Sequence, residues 1–88
     1  MTTAQGTLQG ELNFARVPQL LAQAEALGAA GVLDLSGVSN ADSAGLALLL
    51  EVSRRSKAKG RQLSIRGANE QIAQLARFFG LDQILRFE

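Results

Sequence analysis

The sequence predicts an α/β domain: a small, mixed but mostly parallel sheet with helices packed on it. Three observations carry that expectation. Segments with a two-residue apolar period alternate along the chain with segments of three- and four-residue period, the order strand, helix, strand. One strand-like segment, Val32–Leu35 (VLDL), is short and nearly continuous in apolar character, as a central strand covered on both faces would be. Each helical segment ends at or beside a glycine, Gly28, Gly60 or Gly80, where a left-handed turn can close it.

In chain order, Met1 to Gln5 is short and polar and is expected to be loose. Thr7 to Phe14 (TLQGELNF) sets Leu8, Gly10 and Leu12 against Gln9, Glu11 and Asn13, the pattern of a half-buried strand. Gly10 in its middle points to a bulge or a close backbone approach. Arg16 to Leu27 reads as one helix with Val17, Leu20, Leu21, Ala24 and Leu27 on a single apolar stripe. Pro18 fits only its first turn, where a missing N–H is no loss. Gly28 is placed to cap it, and Ala29-Ala30-Gly31 is a tight link. Asp34, inside the apolar strand, is expected to be satisfied by backbone donors. The run Ser36 to Gly45 (SGVSNADSAG) is rich in turn formers and reads as a loop.

A second helix is expected over Ser43 to Ala58, with Asp42 as its cap and Gly60 as its stop. Arg61 to Arg66 (RQLSIR) alternates as a further strand, and Gly67-Ala68-Asn69 turns the chain. Asn69 is a good N-cap for a third helix, and Glu70 suits its positive end. Ile72, Leu75, Ala76 and Phe79 form that helix's buried stripe. Phe78 lies off the stripe, over the sheet's edge or against Leu81. The apolar tail Leu81 to Phe87 should pack back on the body. With no repeat, linker or low-complexity segment, residues 1–88 read as one domain.

At about 100° per residue, Leu46, Leu49, Leu50 and Ser53 share one face of the second helix, while Ala44, Leu48, Glu51 and Arg55 lie opposite. A surface helix has no use for Leu48 on its outer face. Flanked by Ala44 and Ala47 beside Asp42-Ser43, it reads as a docking patch.

Net charge is +1, too near neutral to indicate nucleic acid. The chain has no Cys and no His, which removes thiolate metal sites, disulfides and every Ser-His-Asp or Cys-His arrangement. No apolar run reaches the roughly 18 residues of a membrane span, and no signal peptide precedes the fold, so a cytoplasmic protein is expected. The carboxylates Glu11, Asp34, Asp42 and Glu51 are scattered, and the glycines match no nucleotide-binding loop. No metal, cofactor or catalytic set is expected.

Asp42-Ser43-Ala44-Gly45 is the best candidate site, although its spacing alone favours an ordinary N-cap followed by a small residue for packing. It places small polar groups and free N–H donors at a helix start, where an anion is favoured. Gly45 lets another backbone come close. The basic run Arg54, Arg55, Lys57, Lys59, Arg61 and Arg66 has no interleaved aromatic, and it reads as a solvated helix end that complements the dipole, with membrane headgroups or an acidic partner as the alternatives.

At LDLSGVSNADSAGLALLL the chain resembles the STAS domain family, the anti-sigma-factor antagonist fold also found in sulfate transporters. The resemblance rests on the apolar strand with Asp34, then Ser36, Val38 and Asp42-Ser43-x-Gly45-Leu46 opening the next helix, and it extends from Leu8 to about Leu85. It implies the STAS fold, with the family's first strand short or missing. Antagonists of the sigma-factor switch accept phosphate on the residue before this glycine, which is Ala44 here and cannot be phosphorylated. Ser43, one residue earlier, remains as a possible acceptor. The short length, the GLALLL run and GANEQIAQLARFFGLDQIL look more like the small stand-alone STAS subunits of Mla-type phospholipid-transport ABC complexes of Gram-negative inner membranes. That branch implies a non-catalytic subunit on the cytoplasmic ATPase, and through it on the permease, peripheral to the inner membrane. The expected partner face comprises Asp42, Ser43, Ala44, Gly45, Ala47, Leu48, Glu51 and Arg55, with Leu48 filling a pocket on the ATPase.

Overall fold

Residues 5–88 are described by the computed structural model; Met1 to Ala4, expected to be loose, lie outside the described residues. The strands run in the order β1 (Gln5–Leu12), β2 (Val32–Ala41), β3 (Ser64–Arg66) and β4 (Arg86–Phe87), and every pairing is parallel rather than mixed. A parallel step needs a crossover. The crossovers are α1 (Val17–Leu21) and α2 (Ala24–Ala29), then α3 (Ser43–Ala58), then α4 (Glu70–Phe78) with a 3-10 turn at Leu81–Gln83. Leu33 and Leu35 of β2 are sealed in the core, whereas Val32 and Asp34 on the opposite face are half-buried. The central strand is thus covered fully on one face only, not on two.

β2 is ten residues long and absorbs most of the segment that its composition marks as a loop. Two irregularities in its pairing with β1, between Thr7 and Gln9 and between Gly10 and Glu11, accommodate the extra residues. They also break the two-residue period, so that Val38 and Ala41 become the next buried positions. β3 pairs only with Val32 to Asp34. Beyond that point two side-chain amides take over the role of a neighbouring strand. Gln71 accepts from the Ala41 N–H at 3.0 Å and donates to the Ala41 carbonyl at 2.9 Å. Asn69 donates to the Ser39 carbonyl at 2.9 Å while its Oδ1 accepts from the Ile72 N–H at 2.9 Å, the expected N-cap. A Gly/Ser/Asn-rich run is a poor strand by itself, and here tertiary partners override its composition.

The bulge expected at Gly10 is present, with φ of 81°. Arg16 fastens it: one guanidinium nitrogen donates to the Gln9 carbonyl at 2.5 Å and to the Glu11 carbonyl at 2.6 Å. The single helix expected over Arg16 to Leu27 is instead two, broken at Ala22-Gln23. The break keeps Leu20, Ala24 and Leu27 in the core, leaves Val17 half-buried against it and turns Leu21 outward. Gly28 does not cap a helix. It lies within α2, where an added Cβ would stand 3.0 Å from the Val52 carbonyl of α3, and the left-handed turn falls at Gly31.

Asp34 is satisfied as expected, accepting from the Ser36 N–H at 2.9 Å. That backbone bond, and after it the Ser36 hydroxyl, hold its carboxyl below the usual range. In α4, Ile72 and Ala76 are buried, but Phe79 is half out of the core and Phe78 is 80% exposed; the two rings meet edge to face at 5.2 Å. Phe79 leaves the expected stripe because α4 ends at Phe78. Gly80, with φ of 73°, then turns the tail back, where Leu85 is buried and β4 pairs with β3.

Candidate functional site

α3 begins where it is expected to, and Asp42 caps it by accepting from the Gly45 N–H at 2.9 Å. Its other carboxylate oxygen accepts from the Phe14 N–H at 3.1 Å, which ties the turn after β1 to the start of α3. Asp42 therefore serves the chain's own architecture. Its negative charge also occupies the place at the helix N-terminus where an external anion would be favoured.

Gly45 is buried against the same chain. An added Cβ would stand 2.3 Å from the Leu12 carbonyl oxygen, so the close backbone approach expected here is made by β1 and not by a partner. Ser43 is exposed in the first turn and Ala44 is half-buried beside it.

Leu48 departs most from expectation. It is 1% exposed, so it cannot be the residue that a partner meets. The sheet covers one side of α3, and α1 covers the arc on which Leu48 lies. Helical arithmetic assigned Leu48 to the outer face because it assumed one covered side. Leu48 forms the floor of an open groove of about 290 Å³ between α1 and α3. Val17 and Leu21 form one wall, and Ala47, Glu51 and Arg55 form the other.

The structure thus brings together Ala47, Leu48, Glu51 and Arg55 at the groove, with Ser43 and Ala44 toward its α3 end. It places Asp42 and Gly45 in internal roles. Val17 packs against the core as expected and also reaches the groove, whereas Leu21, expected in the core, is 38% exposed there and Phe14 is 75% exposed in the turn before α1. The expected strand over Thr7 to Phe14 hid Phe14, because β1 ends at Leu12.

The charges at the rim are paired. Glu51 accepts from Arg54 at 2.7 Å and from Arg55 at 2.6 Å. Those two hydrogen bonds, Arg54's first, lower its carboxyl to about 2. An aliphatic floor with neutralised edges can be covered by another protein without desolvating an unpaired charge. Among the described residues no group of three or more His, Cys, Asp or Glu could hold a metal ion. Nor is any helix there long and apolar enough to cross a membrane.

The family profile described as MlaB, STAS domain, matches residues 4–86. The chain is 35% identical over 75 residues to the intermembrane phospholipid transport system binding protein MlaB of Escherichia coli K12, and equally to that of Shigella flexneri. Those alignments cover 84% of this chain and 77% of each relative. A crystal structure from Thermotoga maritima, assigned as an anti-sigma-factor antagonist, is similar with a TM-score of 0.79 at 17% identity, covering 99% of this chain and 80% of that one. The anti-sigma-factor antagonist SpoIIAA in its unphosphorylated form is similar with a TM-score of 0.74 at 22% identity, covering 100% and 84%. At these identities the two structures show the fold and nothing finer.

Proposed function

The chain belongs to the STAS domain family, and on that premise we propose that it is a non-catalytic subunit of an Mla-type phospholipid-transport ABC complex, where it binds the ATPase and supports its assembly or activity. The observation that carries this reading is the 35% identity, over most of the chain, to proteins named as the binding protein of an intermembrane phospholipid transport system. The docking face is the groove between α1 and α3. Val17 and Leu21 contribute its apolar surface, and Ala44 and Ala47 leave room for a partner's backbone. Through the ATPase the subunit is peripheral to the inner membrane.

Co-expression with the ATPase and permease of the same organism tests this. Ala47→Asp puts a charge on the exposed wall of the groove and should abolish co-purification while the isolated chain melts as before. Unchanged recovery of the complex would remove the groove from the interface. Leu48→Asp does not serve as a test, because a charge at this sealed position would unfold the chain.

One observation favours a second reading, an antagonist switched by phosphorylation: Ser43 is exposed at the start of α3, on a fold shared with SpoIIAA. Ala44 at the acceptor position counts against it. Incubation with ATP and a cognate kinase should leave the mass of the chain unchanged; gain of one phosphate at Ser43 would favour the switch.

A further inference from the structure

The basic run that closes α3 divides into two kinds of cation. Arg54 and Arg55 pair with Glu51, Lys59 pairs with Glu25 at 3.1 Å, and Arg66 approaches Glu88 at 3.9 Å. Lys57 and Arg61 have no carboxylate partner among the described residues, and neither has Arg86 of β4. These three, which come from α3, the link after it and the last strand, line one open cleft of about 340 Å³. Leu63 and Ile84 supply its apolar side, Ser53 adds a hydroxyl, and no carboxylate lines it.

Two of the three charges are held in position by neutral acceptors. Arg61 donates to the Ala29 carbonyl, and Arg86 donates to Gln62 Oε1 at 2.9 Å. Each guanidinium keeps further N–H donors and its whole charge.

We propose that this cleft binds a phosphomonoester carrying a short apolar substituent, the chemistry shared by the head group of phosphatidic acid and a free phosphorylated metabolite. Three cations around a space this small ask for more than one negative charge. A carboxylate supplies one; a phosphomonoester carries about −1.5 to −2 and three acceptor oxygens near neutral pH. Guanidinium forks match those oxygens in pairs. Ile84 is 62% exposed, and an apolar substituent on the ester would cover it. The volume suits a small ligand, at the low end of the roughly 300–1,000 Å³ of such sites. One effect opposes binding: the C-terminus of α3 carries about half a negative charge. Its Ser56 and Lys57 carbonyls are already occupied by the N–H groups of Lys59, Arg61 and Gly60. Against three whole cations the dipole loses.

The test is an NMR titration of the full chain at constant ionic strength with inorganic phosphate, glycerol 3-phosphate and hexyl phosphate. Saturable shifts confined to the cleft are expected, with hexyl phosphate tightest. Lys57→Gln with Arg86→Gln should weaken binding about tenfold or more, since each removes a charge-assisted bond from an exposed position. If the double variant folds poorly, Lys57→Gln alone gives the same sign. Phosphatidylcholine vesicles with and without phosphatidic acid separate the sources. Sedimentation that requires phosphatidic acid and is reversed by hexyl phosphate identifies a lipid head group, whereas soluble esters binding without vesicle association identify a free metabolite. Shifts that merely follow ionic strength, or an unaffected double variant, would overturn the proposal. Hexaglutamate binding the cleft more tightly than hexyl phosphate would overturn it as well, in favour of an acidic protein segment.

Discussion

Two ends of a contrast meet on α3: the groove and the cleft solve the same electrostatic problem in opposite ways. At the groove every charge is matched within the chain: Glu51 holds Arg54 and Arg55, and Asp42, at the start of the helix, holds the Gly45 and Phe14 N–H groups. What remains outside is aliphatic. At the cleft Lys57, Arg61 and Arg86 stand together without a counter-ion from the chain. The first surface can be dehydrated at little electrostatic cost, as a lasting protein contact requires. The second gains most from a small multivalent anion. One helix thus presents two surfaces suited to chemically different partners, and occupancy of one does not block the other.

Removing an aliphatic side chain at each end should break that symmetry most visibly. Leu48→Ala deletes a sealed groove floor and should cost about 3 kcal/mol. In a thermal melt that is a fall of roughly 12 °C or more. Ile84→Ala, at the open cleft, should stay within about 0.5 kcal/mol. Equal costs would mean that the groove floor is not closed by α1.

Glycine substitutions should separate the ends by a smaller margin. Gly45→Ala drives a methyl group into the Leu12 carbonyl and should cost about 2–3 kcal/mol in urea unfolding. Gly60→Ala meets nothing within 4 Å and only the left-handed φ of 78°, so about 1 kcal/mol is expected.

The smallest effect is a pH dependence. Glu51 is held at about 2 in the folded chain, below the ordinary carboxylate range. Its stabilisation is therefore complete above the unfolded value of roughly 4.3 and is lost as the pH falls toward 2. Glu51→Gln should lower the urea midpoint modestly at neutral pH, with the gap to the parent chain closing across that window. The same variant frees Arg54 and Arg55, so the first end should begin to attract phosphate as the second does. No gain in phosphate shifts near the groove would show that the contrast does not rest on pairing.

The element order, the α3 boundaries, the Asp42 and Asn69 caps and the turns at Gly60 and Gly80 were legible because each depends on residues a few positions apart. The misreadings have long-range causes. Ser36 to Ala41 becomes strand through β1 on one side and the amides of Asn69 and Gln71 on the other, about 30 residues away. Leu48 is buried because α1 breaks from α2 and lies over it, which periodicity along α3 cannot reveal. The same break exposes Leu21 and leaves Val17 only half-buried, so the groove was legible on its α3 wall and invisible on its α1 wall. The unpaired state of Lys57 and Arg61 was hidden for a similar reason: their neighbours in sequence find Glu25 and Glu88 only in the folded chain.

The guanidinium of Arg16 has a consequence for self-association. β1 borders the sheet, where a free run of carbonyl and N–H groups would invite a strand from a second molecule. By taking the Gln9 and Glu11 carbonyls at the Gly10 kink, Arg16 blunts that border with a positive charge and an irregular step. A chain with so much leucine needs such a guard, and Arg16→Ala should reveal it as slow growth of thioflavin-binding aggregates.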